Sequence, residues 1–492
     1  MKKIALAIIS GLGVALSFNL PSFSFLIWIS LIPFFYLLNK KASLKGATYF
    51  LIFGTTYYGL TLYWVAYVSV LGFVLLIIYL SLFYLIFYLL STFFIKRPLR
   101  QLAIPAAWVV VEFLKESIWC GFSWGNLGYS QFNNLYLIQI ADIGGIKLIS
   151  FTIVLINFLI WETIVFYRNK NKDSKNHYRG IIKNLFFLLL IFVVVTAYSS
   201  YRLKKVEPEE KITVSLIQPN ILEKQFITPD EKKEILKSLS VFIKATPKES
   251  LIVLPEAAWP YLLDRKNIQL IDKFVRRNKR NIIIGAITKK GKKHYNSALF
   301  FNSEARLVQL YDKIKLVPFG EYVPLRKYLK FIKVLNSIGD IIPGKEKKIF
   351  SYQNKDFATL ICFEDVFPYY VAGVAEDKDF LLNITDDSWF HGEPEATQHL
   401  SIMVLRAVEN RISIVRAANS GISGWVSPKG HITKLKKNKD SLFIQAKEDF
   451  QVLTSKKRSF YNRRKGWFVL VSFIFLTVIF FKKRNFYLSQ KA

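Results

Sequence analysis

Phe357-Ala358-Thr359-Leu360-Ile361-Cys362-Phe363-Glu364 is an apolar run that stops abruptly at a thiol and a carboxylate. A short run without polar alternation fits a strand covered on both faces, the pattern of a central strand in an α/β layer. Two other runs end in the same manner. Leu251-Ile252-Val253-Leu254-Pro255-Glu256 closes on a carboxylate, and Leu310-Tyr311-Asp312-Lys313 closes on an amine. Further strands are predicted at Ile212–Ile217, Asn281–Ile287, Ala298–Asn302, Leu307–Tyr311, Phe380–Ile384, Ser413–Ala417 and Gly424–Ser427, with helical periodicity over Thr228–Lys244, Lys266–Lys279 and Glu395–Arg411. The alternation gives a mixed α/β domain. Such sheets build their sites just past strand ends, so Glu256, Lys313 and Cys362 are expected to converge.

The three groups make chemical sense together. A free thiol is mostly protonated at neutral pH, so a nearby base raises its reactivity. Glu256 serves as that base if burial lifts its pKa, and it can return the proton to a departing group. Lys313 favours thiolate and then a tetrahedral oxyanion, alongside a backbone N–H near Phe363. Glu321 and Glu364 are candidates for orienting these groups. Each residue alone also has a plainer reading: a lone cysteine in a strand packs the core, Glu256 after Pro255 caps a helix, Lys313 lies on the surface, and Glu321 and Glu364 are solvated carboxylates. Only the combination is informative. The only other cysteine, Cys120, lies among Trp119, Phe122 and Trp124 and reads as packing. Two cysteines provide no disulfide framework, and no Cys/His spacing suits zinc.

The 492 residues are 52% hydrophobic and carry 68 Lys+Arg against 35 Asp+Glu. The mean hydropathy of +0.27 is too apolar for a wholly soluble chain and excludes dominant disorder. Apolar runs fall at about 4–20, 22–39, 46–66, 69–95, 101–119, 146–167, 181–200 and 466–481. About 20 such residues cross a bilayer, and the short last run is anchored by Trp467 and by Lys482, Lys483 and Arg484. Reading all eight as spans divides the chain into a seven-span domain at 1–200, an α/β domain at 201–465, and an eighth span with tail at 466–492. Connections on the starting side hold 14 of the 16 basic residues before position 201. By the positive-inside rule both termini are cytoplasmic and 201–465 lies outside. The basic clusters between spans suit lipid headgroups, and the middle segment has no interleaved aromatic stripes, so nucleic acid is not an expected partner. The first run lacks a small-x-small cleavage site and reads as an anchor rather than a removed signal.

Pro255-Glu256, Tyr311-Asp312-Lys313 and Cys362-Phe363-Glu364, in that order, resemble the Glu-Lys-Cys triad of the nitrilase superfamily. Lys315-Leu316-Val317-Pro318-Phe319-Gly320-Glu321-Tyr322-Val323-Pro324, within a domain flanked by spans, is similar to the membrane-embedded branch, the apolipoprotein N-acyltransferases of bacterial inner membranes. Gly121-Phe122-Ser123-Trp124 and Leu127-Gly128-Tyr129-Ser130-Gln131 resemble that family's stretch near its fifth span. The resemblance implies an αββα sandwich beside a multi-span helical domain, and a monomer without metal or organic cofactor. It also implies acyl transfer in two steps. Cys362 takes a fatty acyl chain from a phospholipid, typically phosphatidylethanolamine, and passes it to the α-amine of a lipoprotein's diacylglyceryl-cysteine. By position Glu256 matches the base, Lys313 the oxyanion lysine, Cys362 the nucleophile, and Glu321 and Glu364 the supporting carboxylates.

Substrate contacts are expected from Phe226, Trp259, Phe363, Trp389 and Phe390. The segment Leu325 to Ile338, apolar among lysines, reads either as a membrane-surface lid or as a helix packed on the sheet. Phe363 and Phe226 stand where the family commonly has Tyr and Trp, and Asp386 stands where Asn is usual. The aromatic faces survive, and Asp386 adds a carboxyl group. A membrane-tethered amidase and a non-catalytic lipoprotein-binding protein are the competing functions.

Overall fold

The computed structural model describes residues 1–38, 41–119, 121–168, 174–205, 210–221, 228–324, 326–329, 339–390 and 392–488. Two compact units emerge: Met1–Lys205 with Ser459–Ala492, and Val206–Arg458.

The first unit is helical, with α1 Lys2–Asn19, α2 Leu44–Thr61, α3 Val70–Phe94, α4 Arg100–Ser117, α5 Ile146–Arg168, α6 Ser174–Lys204 and, after the second unit, Trp467–Leu488. Among the described residues, four helices are long and apolar enough to cross a membrane: α1, α3, α5 and Tyr178–Lys204 within α6. The chain is a membrane protein. Leu135–Gly144 and Trp467–Lys482 are shorter apolar helical stretches, and Pro21–Phe35 is an apolar stretch of short helical pieces. Of the remaining expected runs, 46–66 and 101–119 largely correspond to α2 and α4, which fall outside that set: α2 is rich in Tyr, Thr and Gly besides Lys45, and α4 carries Arg100, Glu112, Lys115 and Glu116.

The run at 22–39 is not one helix. It breaks into Pro21–Leu26, Ile27–Ser30 and Ile32–Phe35. Pro33 has no N–H to donate, and its ring crowds the carbonyl one turn back. Asn157 on α5 inserts into the turn just before Pro33: its Oδ1 accepts from Leu31 N–H at 3.0 Å, and its Nδ2 donates to Ile27 O at 2.9 Å. Backbone groups freed in an apolar surrounding need such partners.

The second unit holds two six-stranded sheets. The first contains β1 Glu210–Gln218, β2 Leu251–Val253, β3 Asn281–Lys290, β4 Lys293–Phe301, β5 Leu307–Asp312 and β12 Ala446–Thr454, in the order β12-β1-β2-β3-β4-β5. The second contains β6 Phe350–Tyr352, β7 Lys355–Ile361, β8 Phe380–Thr385, β9 Ser413–Ala418, β10 Gly424–Val426 and β11 Ile432–Lys434, in the order β11-β10-β9-β8-β7-β6. Val214, Val253, Ile283, Phe300, Phe357, Leu382 and Val415 fill the space between them. Ile252, Ile282 and Ile284 point the other way, beneath α7 Pro229–Lys244 and α8 Ile268–Asn278. The strands are therefore apolar on both faces, which is why their sequences do not alternate. Helices α9 Pro368–Ala375 and α10 Glu393–Asn410 complete the αββα sandwich of the nitrilase-like class.

Candidate functional site

Glu256 follows β2 at a turn that only glycine on β3 permits. A Cβ on Gly285 would lie 2.2 Å from Pro255 O and 2.8 Å from Glu256 Cα. Ala257 then turns the chain at φ 47°, and Trp259 N–H returns to Gly285 O at 3.0 Å. Lys313 follows β5; its N–H donates to Asn296 O at 2.8 Å, and its carbonyl accepts from Gly344 N–H at 2.8 Å. Cys362 follows β7 at φ 50°, a left-handed conformation that is costly for a residue with a Cβ and marks functional turns.

Glu256, Lys313 and Glu321 form one cluster. Lys313 Nζ lies 3.4 Å from Glu256 Oε1 and 3.0 Å from each Glu321 oxygen. Asn296 Nδ2 donates to Glu256 Oε1 at 2.6 Å and Glu321 Oε1 at 3.0 Å, while Asp386 N–H holds Glu256 Oε2 at 2.9 Å. Val317 N–H fixes Glu321 Oε2 at 2.8 Å. Asn296 was not foreseen, because the strand predicted there began at Ala298 whereas β4 begins at Lys293.

Glu364 connects this cluster to the cysteine turn. Its Oε1 accepts from Tyr311 OH at 2.7 Å, Ile314 N–H at 2.7 Å and Lys315 N–H at 3.0 Å; its Oε2 accepts from Ile361 N–H at 2.9 Å. The residues after Lys313 and the residue before Cys362 thus grip one carboxylate. Glu364 and Glu321 are fully engaged side chains rather than solvated loop groups.

The electrostatics suit a thiol that reacts through a base. Burial pushes the Cys362 thiol well above its ordinary range, the Glu256 charge adds to this, and Lys313 opposes it. Burial likewise raises Glu256, with Lys313 pulling it down and Glu321 and Asp386 pushing it up. Burial alone would lower Lys313, but the Glu321 and Glu256 carboxylates hold it above its usual range, so it stays an ammonium. At rest the sulfur carries its proton and feels the charge of Glu256, a carboxyl group of raised basicity.

A second polar cluster lies between β8, β9 and α10. His399 places Nε2 3.1 Å from Asp365 Oδ1 and Nδ1 3.2 Å from Asp387 Oδ1. Arg416 Nη2 donates to Asp387 Oδ2 at 2.8 Å and lies 2.7 Å from His399 Nδ1. Burial, then the Asp387 charge, raises Glu395 to about 7. Asp387, Glu395 and His399 present ligand atoms within 4.8 Å of one another. The Arg416 guanidinium already supplies fixed positive charge among them, so the set reads as an ion network rather than a metal cage. The sequence signal was Arg416 itself, a charge inside an otherwise apolar strand.

The aromatic expectations divide. Phe363 is buried, its ring edge-on to Phe367 at 5.3 Å. Trp389 and Phe390 occupy the turn Ser388–Phe390 just after Asp386, with Trp389 48% exposed. Trp259 instead belongs to the core beneath α8, packed on Phe274 at 5.4 Å, because the Gly285 turn directs it there. Phe226 lies outside the described residues, as do Leu325 and 330–338 of the segment read as a lid; Arg326–Leu329 is a short helix with Tyr328 exposed. Asp386 Oδ1 accepts from Asn419 Nδ2 at 3.0 Å and Ser388 N–H at 3.2 Å.

Two family profiles match the chain. One, described as the apolipoprotein N-acyltransferase N-terminal domain, covers residues 10–159; the other, carbon-nitrogen hydrolase, covers residues 213–458. An apolipoprotein N-acyltransferase of Geobacter metallireducens is 33% identical over 93% of this chain and 91% of its own length. One from Thermotoga maritima is 27% identical over 97% of this chain and 93% of its own. Among solved structures, Saccharomyces cerevisiae Nit3, a member of branch 10 of the nitrilase superfamily, aligns at a TM-score of 0.38 and 19% identity, over 49% of this chain and 90% of that one.

Proposed function

From the premise that this chain belongs to the apolipoprotein N-acyltransferase family, and is an acyltransferase acting in lipoprotein N-acylation, we propose a two-step transfer through a thioester on Cys362. The donor is a phospholipid, with phosphatidylethanolamine the leading candidate, and the acceptor is the α-amine of a diacylated apolipoprotein. In the first step Glu256 takes the Sγ proton, sulfur bonds to the ester carbonyl carbon, and the carbon–oxygen bond breaks. Glu256 returns the proton to the leaving lysophospholipid. In the second step the amine attacks the thioester, the carbon–sulfur bond breaks, and an amine proton passes by way of Glu256 to the sulfur.

The observation that carries this reading is the Lys313 ammonium shared between Glu256 and Glu321 at 3.4 and 3.0 Å. At rest the ammonium is held among Glu256 Oε1 and the two Glu321 oxygens, and in the reaction one of its three N–H groups turns to the tetrahedral oxyanion, together with the backbone N–H of Phe363. Glu321 and Glu364 support the geometry, and Phe363, Trp389 and Phe390 are proposed contacts for the acyl chain. In this reading the chain is a multi-pass protein of the bacterial inner membrane, with cytoplasmic termini and Val206–Arg458 outside. The support is the 14 of 16 early basic residues gathered on one side. Protease added to spheroplasts should then cleave within 206–458.

The deciding experiment gives the purified full chain a phospholipid labelled in its acyl chain. A hydroxylamine-sensitive adduct should form with the parent and vanish with Cys362→Ser. Added diacylated peptide should discharge it; discharge to water alone, with the peptide unmodified, would favour the amidase reading.

A further inference from the structure

The left-handed turn at Cys362 needs something to hold it, and the second sheet supplies an ionic scaffold. Arg416 lies opposite Asn383 in the β8–β9 register. Its Nη1 donates to Asn383 Oδ1 at 3.1 Å, and Asn383 Nδ2 donates to Cys362 O at 3.1 Å. Asp365 belongs to the same turn, Cys362–Val366, and meets His399 Nε2 at 3.1 Å and Arg416 Nη1 at 3.5 Å. Thr385 Oγ1 donates to Asp387 Oδ1 at 3.0 Å, and Asp387 closes the circuit on Arg416. Arg416, His399, Asp365, Asp387 and Asn383 are all buried. The turn is thus held at both ends, at its first carbonyl and at its fourth side chain. A strained residue persists only where its surroundings over-determine it.

We propose that Arg416 and His399 are positioning residues that set the reactivity of Cys362, acting through Asn383 and Asp365 rather than by touching substrate. The proposal rests on Cys362 being the nucleophile. The Arg416 Nη2 donor, 2.7 Å from His399 Nδ1, favours the ring form with a proton on Nε2 toward Asp365, and Arg416 fixes the Asn383 amide by occupying its oxygen. Breaking either link frees the sulfur to leave the direction in which the carbonyl carbon is met, and small misplacements of reacting groups are costly in rate.

The test uses the detergent-solubilised full chain and three readouts: kcat and KM for acyl transfer, the iodoacetamide alkylation rate of the Cys362 peptide by mass spectrometry, and thermal melting. His399→Leu should lower kcat about tenfold to a hundredfold with KM little changed, and should slow alkylation in parallel. His399→Gln keeps a donor near the Nε2 position and should restore most of both. Arg416→Lys keeps the charge but loses the fork between Asn383 and Asp387, and should fall between. A folded His399→Leu protein with parental kcat and alkylation overturns the proposal, as does an equal loss in both His399 variants with alkylation unchanged. If His399→Leu does not fold, Asn383→Ala removes the whole link from Arg416 to Cys362 O, and parental kcat there overturns it equally. Full transfer by Cys362→Ser would instead remove the nucleophile reading itself.

Discussion

The first sheet sends its polar groups past the ends of β2 and β5, where a few hydrogen bonds hold them; the second sheet sets Cys362 on a network that runs back beneath β8, β9 and α10. Glu256 keeps its place through Asn296, Lys313 and the N–H of Asp386. Cys362 depends on Asn383, Asp365 and the charges behind them. One side is arranged for proton movement and the other for stiffness. Substitutions on the first side should change rate and pH profile while the protein stays folded, whereas those on the second should change rate and melting together.

The largest expected effect comes from Lys313→Met, which should lower kcat about a hundredfold to a thousandfold, as for loss of an oxyanion donor. It should also move the acid limb of the kcat profile upward. Glu256 must be ionised to act, burial already raises its pKa, and the Lys313 charge is what pulls it down. A limb that stayed put would separate Lys313 from the base. Asn296→Ala should cost about tenfold in kcat with melting little altered, since Glu256 and Glu321 lose a shared donor. Parental turnover would move Asn296 out of the first side's machinery.

Glu364→Gln tests the junction between the sides. An amide keeps only one accepting oxygen, so either the Ile361 donor or the Tyr311, Ile314 and Lys315 donors lose their partner. Melting should fall by the equivalent of about 2–4 kcal/mol, with activity lost alongside. A full-activity protein of lowered stability would show the two sides holding their geometry independently.

The smallest effect is a pH dependence on the second side. Glu395 is raised to about 7 by burial and by Asp387, against His399 and Arg416. Its folded-state pKa exceeds the unfolded one, so folding favours the protonated acid, and stability falls as pH rises from ordinary carboxyl values through 7. Glu395→Gln should therefore melt higher than the parent at pH 8, by the equivalent of a few kcal/mol at most, and match it near pH 4. Equal melting at both pH values would show that Glu395 is ionised at no net cost.

Much of this arrangement was legible as strands that end in chemistry. The runs ending at Glu256, Lys313 and Cys362 announced themselves because central strands are apolar on both faces and change character where they stop. Edge strands do not. In β12, Lys447 and Asp449 lie on one face and Glu448 interrupts the other, and only pairing with β1 reveals the buried Phe450 and Val452 on the face they share with Glu448. Helix α9 hid for another reason: eight mostly apolar residues beginning at Pro368 have too little length for a period to show. Asn296 lay just before a predicted strand, where no local pattern distinguishes a buried amide from a loop asparagine. The network behind Cys362 joins residues 362–416 through contacts that have no fixed spacing, so only Arg416 hinted at it.

Gly285 carries a consequence of its own. Glu256, the proposed base, owes its location to a hydrogen on the neighbouring strand, because a methyl there would act as a wedge against Pro255 and Glu256. A residue that never approaches lipid or peptide would then register as indispensable in any screen for acyl transfer, and its loss would look like damage to the base.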